Sequence, residues 1–110
     1  MIIASKDSLF LVNNTMFFKR FGYKVIHAND YVHALNNIKT LAETHEKINI
    51  LIVKTRDFTE EDKYNLQRIL KIDKNIMVVV LSEKTEKQEK NLFFLDYYSS
   101  PMEIIENIRA

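Results

Sequence analysis

Ser5, Lys6 and Asp7 follow a short apolar run at the start of the chain. Lys54 follows a second such run, Ser82 a third, and Ser100 stands just before the single proline. Hydroxyls and ammonium groups of this kind hold anions, and a carboxylate can hold a cation. Gathered at one place, Lys54, Ser82 and Ser100 would bind sulfate or phosphate without doing chemistry on it. They offer no pair of general bases. With one glycine in the chain, neither a Walker-type nor a dinucleotide-type phosphate loop can be built. Nucleophile elbows need flanking glycines too, and none is present. Cysteine is absent, which removes thiolate catalysis, disulfides and Cys-ligated zinc. His27, His33 and His45 lack the spacing of a metal site and read as ordinary surface or boundary residues.

The elements that must position these groups alternate along the chain. Apolar runs at Met1–Ala4, Lys24–Ala28, Ile48–Val53, Ile76–Leu81 and Leu92–Tyr98 have the length and composition of strands buried on both faces. Helical periodicity fills the gaps. The first helix is predicted over Ser8–Arg20, stopped by Gly22. Leu9, Val12 and Met16 form one of its stripes, Phe10, Phe17 and Phe21 a second, and Leu11 and Phe18 a third. The second helix starts after Asn29-Asp30 and turns Ala34, Leu35, Ile38, Leu41 and Ala42 inward. The third starts at Thr59, where Thr59 and Asp62 resemble a capping box. Its apolar face is Leu66, Ile69 and Leu70. Glu83–Asn91 contains no apolar residue, so a helix there is short or frayed. Pro101 opens a last, short helix with Ile104, Ile105 and Ile108 inward.

Strand and helix in alternation, five times over, predict an α/β fold. The expected architecture is a flavodoxin-like (βα)5 doubly wound, five-stranded parallel sheet, order 2-1-3-4-5. Sites in such sheets lie at the carboxyl ends of the strands, where Ser5, Lys6, Asp7, Lys54, Ser82 and Ser100 fall. Residues 1–110 read as a single domain, and the short last helix suggests the N-terminal part of a longer protein.

Composition bounds the rest. Apolar residues at 46% and charged residues at 28% exclude a disordered tail, a coiled coil or a collagen-like chain. Net charge is +1, so no global field draws the chain to nucleic acid or an anionic membrane. Lys84, Lys87 and Lys90 alternate with Glu83, Glu86 and Glu89 and neutralise themselves. The longest apolar run, Ile76–Leu81, is far short of the roughly 20 residues of a membrane span. The N-terminus does not have the pattern of a signal peptide. The default expectation is a cytoplasmic protein.

Two stretches carry a family resemblance. "GYKVIHANDYVHAL", Gly22–Leu35, resembles the step into the second strand and second helix of the receiver domains of two-component response regulators. "DYYSSP", Asp96–Pro101, resembles the family's Asp-Tyr-hydrophobic-Thr-Lys-Pro. The likeness covers nearly the whole chain. It implies two acids after the first strand for Mg²⁺, an Asp phosphoacceptor ending the third, and a Lys before the last proline. This chain has Ser5 and Lys6 where the acids belong, with Asp7 one step late, Lys54 at the acceptor position and Ser100 at the lysine position. Ser82 matches the hydroxyl after the fourth strand. An amine forms no acyl phosphate, and a cation beside Asp7 repels Mg²⁺. The resemblance therefore implies a degenerate, pseudo-receiver type, with no cofactor, no metal and no enzymatic activity. It would regulate through self-association or contact with an effector or output domain, without touching nucleic acid or membrane itself.

By the same resemblance Ser82 and Tyr97 are switch-like positions, and the Ser100–Pro101 bond is expected to be cis. The plainer reading has Ser82 as a strand end and Tyr97 as filling between helix and sheet. Lys54 either pairs with Asp7 or points into water with Arg56. Leu11 and Phe18, if uncovered, would form a partner surface on the first helix. Two other functions stay open. One is a phosphoacceptor with a displaced acidic site at Asp7 and Asp57, which requires the third strand to run three residues further. The other is a small-anion or nucleotide binder on a flavodoxin-like sheet.

Overall fold

A computed structural model describes residues 1–43, 49–84 and 91–109. Five strands, β1 (Ile2–Ala4), β2 (Ile26–Ala28), β3 (Ile50–Lys54), β4 (Met77–Ser82) and β5 (Leu92–Asp96), form one sheet in the order β2-β1-β3-β4-β5. All four pairings are parallel. The described helices are α1 (Ser8–Arg20), α2 (Tyr31–Glu43), α3 (Glu60–Ile72) and α4 (Pro101–Arg109). This is the expected flavodoxin-like α/β architecture. The short or frayed helix expected within Glu83–Asn91 lies mostly outside the described residues, as do His45, Glu86, Lys87, Glu89 and Lys90. The side chains of Leu41 and Ala42 lie outside them as well.

Two cores sandwich the sheet. Ala34, Leu35 and Ile38 of α2 and Leu66 and Ile69 of α3 pack on Ile2, Leu51, Val53, Val78 and Val80. Phe10, Leu11 and Phe18 of α1 and Ile104 and Ile105 of α4 pack on Ile3, Ile52, Val79 and Leu81. Strand residues divide between the cores by simple alternation. That both faces are covered explains why the strands read as continuous apolar runs.

Local chemistry sets the element ends. Asp7 caps α1 by accepting from the Phe10 amide at 3.1 Å. Gly22, at φ +90°, closes that helix: its amide donates to Lys19 O and the Tyr23 amide to Phe18 O. Thr59 and Asp62 cap α3 reciprocally. β5 stops at Asp96, two residues before the expected Tyr98. The Asp96 carboxylate takes the Tyr98 amide and its carbonyl the Ser99 amide, turning the chain.

Two expectations are corrected. The Ser100–Pro101 bond is trans, as no cis peptide occurs among the described residues. Ser100 caps α4 instead: its Oγ accepts from the Glu103 amide and its own amide donates to Glu103 Oε1. Pro101 then sits in the first helical position, where its fixed φ suits a trans chain entering a helix. Leu11 and Phe18 are not a surface. They are 6% and 0% exposed, covered by the sheet and by α4.

Candidate functional site

The β1–β3 register pairs Ala4 with Val53, so the residues that follow, Ser5 and Lys54, leave the sheet side by side. Lys54 lies one alternation beyond Ile52 and shares its face. Its side chain therefore emerges on the α1 side, against Phe10. The Lys54 ammonium stands 4.5 Å from the centre of the Phe10 ring and 4.6 Å from that of Tyr97. Its carboxylate partner is Asp7, at 3.7 Å. Lys54 is thus held by two ring faces and one anion, with its side chain 14% exposed. Of its two open placements, the structure takes the paired one.

Arg56 goes its own way. It is exposed, and its guanidinium lies 5.2 Å from the centre of the Tyr97 ring, opposite company to Lys54's burial. A hydrogen bond with Tyr97 first, then the charges of Glu83 and Tyr98, push the Arg56 pKa above its already high ordinary value. Tyr98 extends the group outward, donating its hydroxyl to Glu83 Oε1 at 3.3 Å. Half-buried Tyr97 therefore joins the strand ends to an exposed surface.

These groups line a cleft of about 670 Å³ over the carboxyl ends of β1 and β3. Ser5, Lys6, Asp7, Lys54, Arg56 and Tyr97 all contribute to its wall. So do Asp30 at the start of α2 and Glu61 and Asp62 at the start of α3. Ser5 is buried, and its Oγ accepts the Asp7 amide at 3.0 Å, which fixes the turn into α1.

Ser82 and Ser100 are not in that wall. Ser82 donates to Arg56 O at 3.0 Å and accepts the Lys84 amide, tying the ends of β3 and β4 together. Ser100 is consumed by the α4 cap. The anion site that would combine Lys54, Ser82 and Ser100 is therefore not assembled, and three acidic side chains on the opposite rim disfavour anions further. Asp57 is exposed beyond the end of β3, outside the cleft, so Asp7 and Asp57 are not brought together there.

The residues do not fit the Mg²⁺ that the receiver resemblance would imply. Asp7 is committed to Lys54 and to the helix cap. Among the described residues, no group of three or more His, Asp or Glu is placed to hold a metal ion. As residues of the site, Phe10, Asp30, Glu61 and Asp62 were not foreseen from the sequence. Their signal was present for Asp30 and Asp62, as helix-starting residues whose helices begin at the strand ends.

The fold and the strand-end cleft define a flavodoxin-like α/β protein. No family model matches the chain, and neither does any curated protein. A solved structure does: a protein from Burkholderia pseudomallei described as pilus assembly-related. It superposes with a TM-score of 0.75 at 11% identity, covering 98% of this chain and 84% of its own. At that identity the likeness is one of fold. Among the described residues, no helix is long and apolar enough to cross a membrane.

Proposed function

We propose that the chain is a receiver-like regulatory module that works without phosphoryl transfer, as a non-enzymatic partner in protein–protein contact. The observation that carries this reading is the seat of Lys54. An ammonium ends β3, paired with Asp7 and stacked between Phe10 and Tyr97. A receiver acquires a transient anion at this place. Here a permanent cation is built in, and the groups it touches include Tyr97, which leads outward to Tyr98 and Glu83. A cation flanked by two rings and a carboxylate is held in place by several weak terms at once. The inner arrangement is then constitutive, and regulation passes to whatever engages the surface.

Intact mass after incubation with Mg²⁺ and acetyl phosphate tests this. The expected mass is that of the unmodified chain, beside a conventional receiver that gains one phosphoryl group. A hydroxylamine-sensitive adduct would overturn the proposal, because it would show a carboxylate still accepting phosphate.

A further inference from the structure

β2 and β5 are the two edges of the sheet, and they differ in what they leave open. Along a strand, successive residues turn their backbone N–H and C=O to opposite sides. On β2, Ile26 and Ala28 turn theirs toward β1: the Ile26 amide donates to Met1 O, and Ala28 O accepts the Ser5 amide. His27 alone faces outward, so this edge is blunted by its shortness. On β5, Asn91 O accepts the Val78 amide, and the register with β4 runs on unbroken from there. Phe93 and Leu95 therefore face β4, and Leu92, Phe94 and Asp96 face outward. The Asp96 carbonyl accepts the Ser99 amide where the strand ends. Among the described residues, the other outward amides and carbonyls of these three residues have no partner.

The usual guards of an open edge are missing from β5. It has no lysine, no proline and no bulge, and Asp96, its last residue, is its sole charge. Phe93 and Leu95 sit beside Val79 and Leu81, which are buried, yet both are only half-buried. Leu95 packs in part on the α1–α4 core, and Phe93 belongs to neither core. A row of unpaired backbone donors and acceptors between apolar side chains fits another strand, not a side chain or a lipid.

We propose that β5 pairs antiparallel with β5 of a second copy of this chain, across a two-fold axis normal to the sheet at Phe94. Phe94 then exchanges both backbone bonds with the partner's Phe94, and Leu92 with the partner's Asp96. A centre at Phe93 or Leu95 would leave one outward residue of each strand unused. At Phe94 like charges do not meet, because Asp96 lies across from leucine. Phe93 lies across from the partner's Leu95, a close apolar pair on the α1–α4 face. Charges beyond the strand have both signs at each end: Arg56, Glu83 and Lys84 by its carboxyl end, Asp73 and Lys74 by its start. Backbone bonding, not a charged rim, therefore fixes the register. A foreign strand laid on β5 would present a new open edge in place of the old one. A second copy removes both edges in one closed, isologous operation, which makes it the occupant. That copy is a partner for the contact module proposed above, and the proposal needs that reading only for contact being its function.

Sedimentation velocity of the full chain over a range of concentrations tests it. The native chain is expected as a concentration-dependent dimer. Phe93→Lys with Leu95→Lys sets lysine across from lysine and should give a monomer with an unchanged circular dichroism spectrum. Phe93→Glu with Leu95→Lys sets opposite charges across the same axis and should dimerise again. The chain has no cysteine, so Phe93→Cys with Leu95→Cys gives a second measurement that introduces no charge. Opposed residues between bonded pairs stand about 4.5 Å apart at Cα, within reach of a disulfide. Oxidation should therefore lock that variant as a covalent dimer. A native chain that stays monomeric at its highest soluble concentration overturns the proposal. So does a native dimer that survives the paired lysines, a glutamate–lysine variant no more associated than the lysine pair, or a cysteine variant that oxidation leaves unlinked. Each result is independent of the phosphoryl-transfer assay: a monomer with no adduct sinks the dimer alone, and a dimer with an adduct sinks the phosphorylation-independent reading alone.

Discussion

At the scale of residues, Asp7 has two separable tasks. Its carboxylate caps α1 and also faces Lys54. Asparagine caps a helix about as well as aspartate, so Asp7→Asn removes the ion pair and keeps the cap. Because the Asp7 side chain is nearly half exposed, solvent screens the pair, and the loss should stay below about 1 kcal/mol. Asp7→Ala removes both and should cost about 1 kcal/mol more. Urea denaturation of the two variants separates these contributions; equal losses would mean the cap contributes nothing. The meeting of Lys54 and Asp7 was half legible in the sequence, since both follow neighbouring strands. The ring contacts were not. Whether Phe10 and Tyr97 lie over the ammonium depends on how α1 is rotated and where β5 ends, and neither follows from local sequence.

At the scale of elements, capping chemistry made boundaries legible and single apolar stripes gave the inward faces of α2, α3 and α4, while the orientation of α1 was not legible. Ser8–Arg20, the stop at Gly22 and the Thr59–Asp62 cap all follow from residues that satisfy helix-end amides and carbonyls. α1 was ambiguous because it carries apolar residues on every side. Its pattern has no unique inner stripe, so only packing against Ile3, Ile52 and α4 decides that Leu11 and Phe18 go in and Leu9 and Val12 stay out. Two predictions belong here. Thr59→Ala should destabilise the protein by about 1 kcal/mol in urea titration, with Thr59→Gly milder; no change would mean α3 is held by its packing alone. The second concerns the start of β1. The Met1 α-amino group donates to Lys24 O at 2.9 Å, and burial lowers its pKa below the ordinary 8.0. The unfolded chain therefore binds this proton more tightly than the folded one. Its effect on stability is fully favourable above about pH 8 and is lost as pH falls through the lower, folded value. The urea midpoint should rise as pH approaches 8, and acetylating the amine should flatten that rise. An acetylated chain with the same pH slope would assign it to other groups.

At the scale of the whole molecule, the doubly wound sheet keeps the geometry of a strand-end site whatever residues occupy it. β1 and β3 still deliver side chains to one cleft, and acidic groups from the starts of α2 and α3 still face it. The cation at Lys54 opposes a divalent metal there, beside carboxylates that are not gathered into a metal-holding group among the described residues. Lys54→Asp tests that reasoning. It replaces the ammonium by a carboxylate beside Asp7, in a cleft already lined by Asp30, Glu61 and Asp62. Without metal the variant should melt below the native chain, because like charges now face each other and both ring contacts are lost. Millimolar Mg²⁺ should then raise its Tm, since a ligand bound only by the folded state stabilises that state by mass action. The native chain's Tm should not respond to Mg²⁺. Calcium and high sodium chloride separate specific binding from screening, because sodium at matched ionic strength should recover only part of the loss. A variant whose Tm ignores Mg²⁺ would mean that the cap and backbone contacts of Asp7, Asp30 and Asp62 hold their carboxylates away from one another. Metal binding would then be opposed by the architecture of the cleft as well as by Lys54.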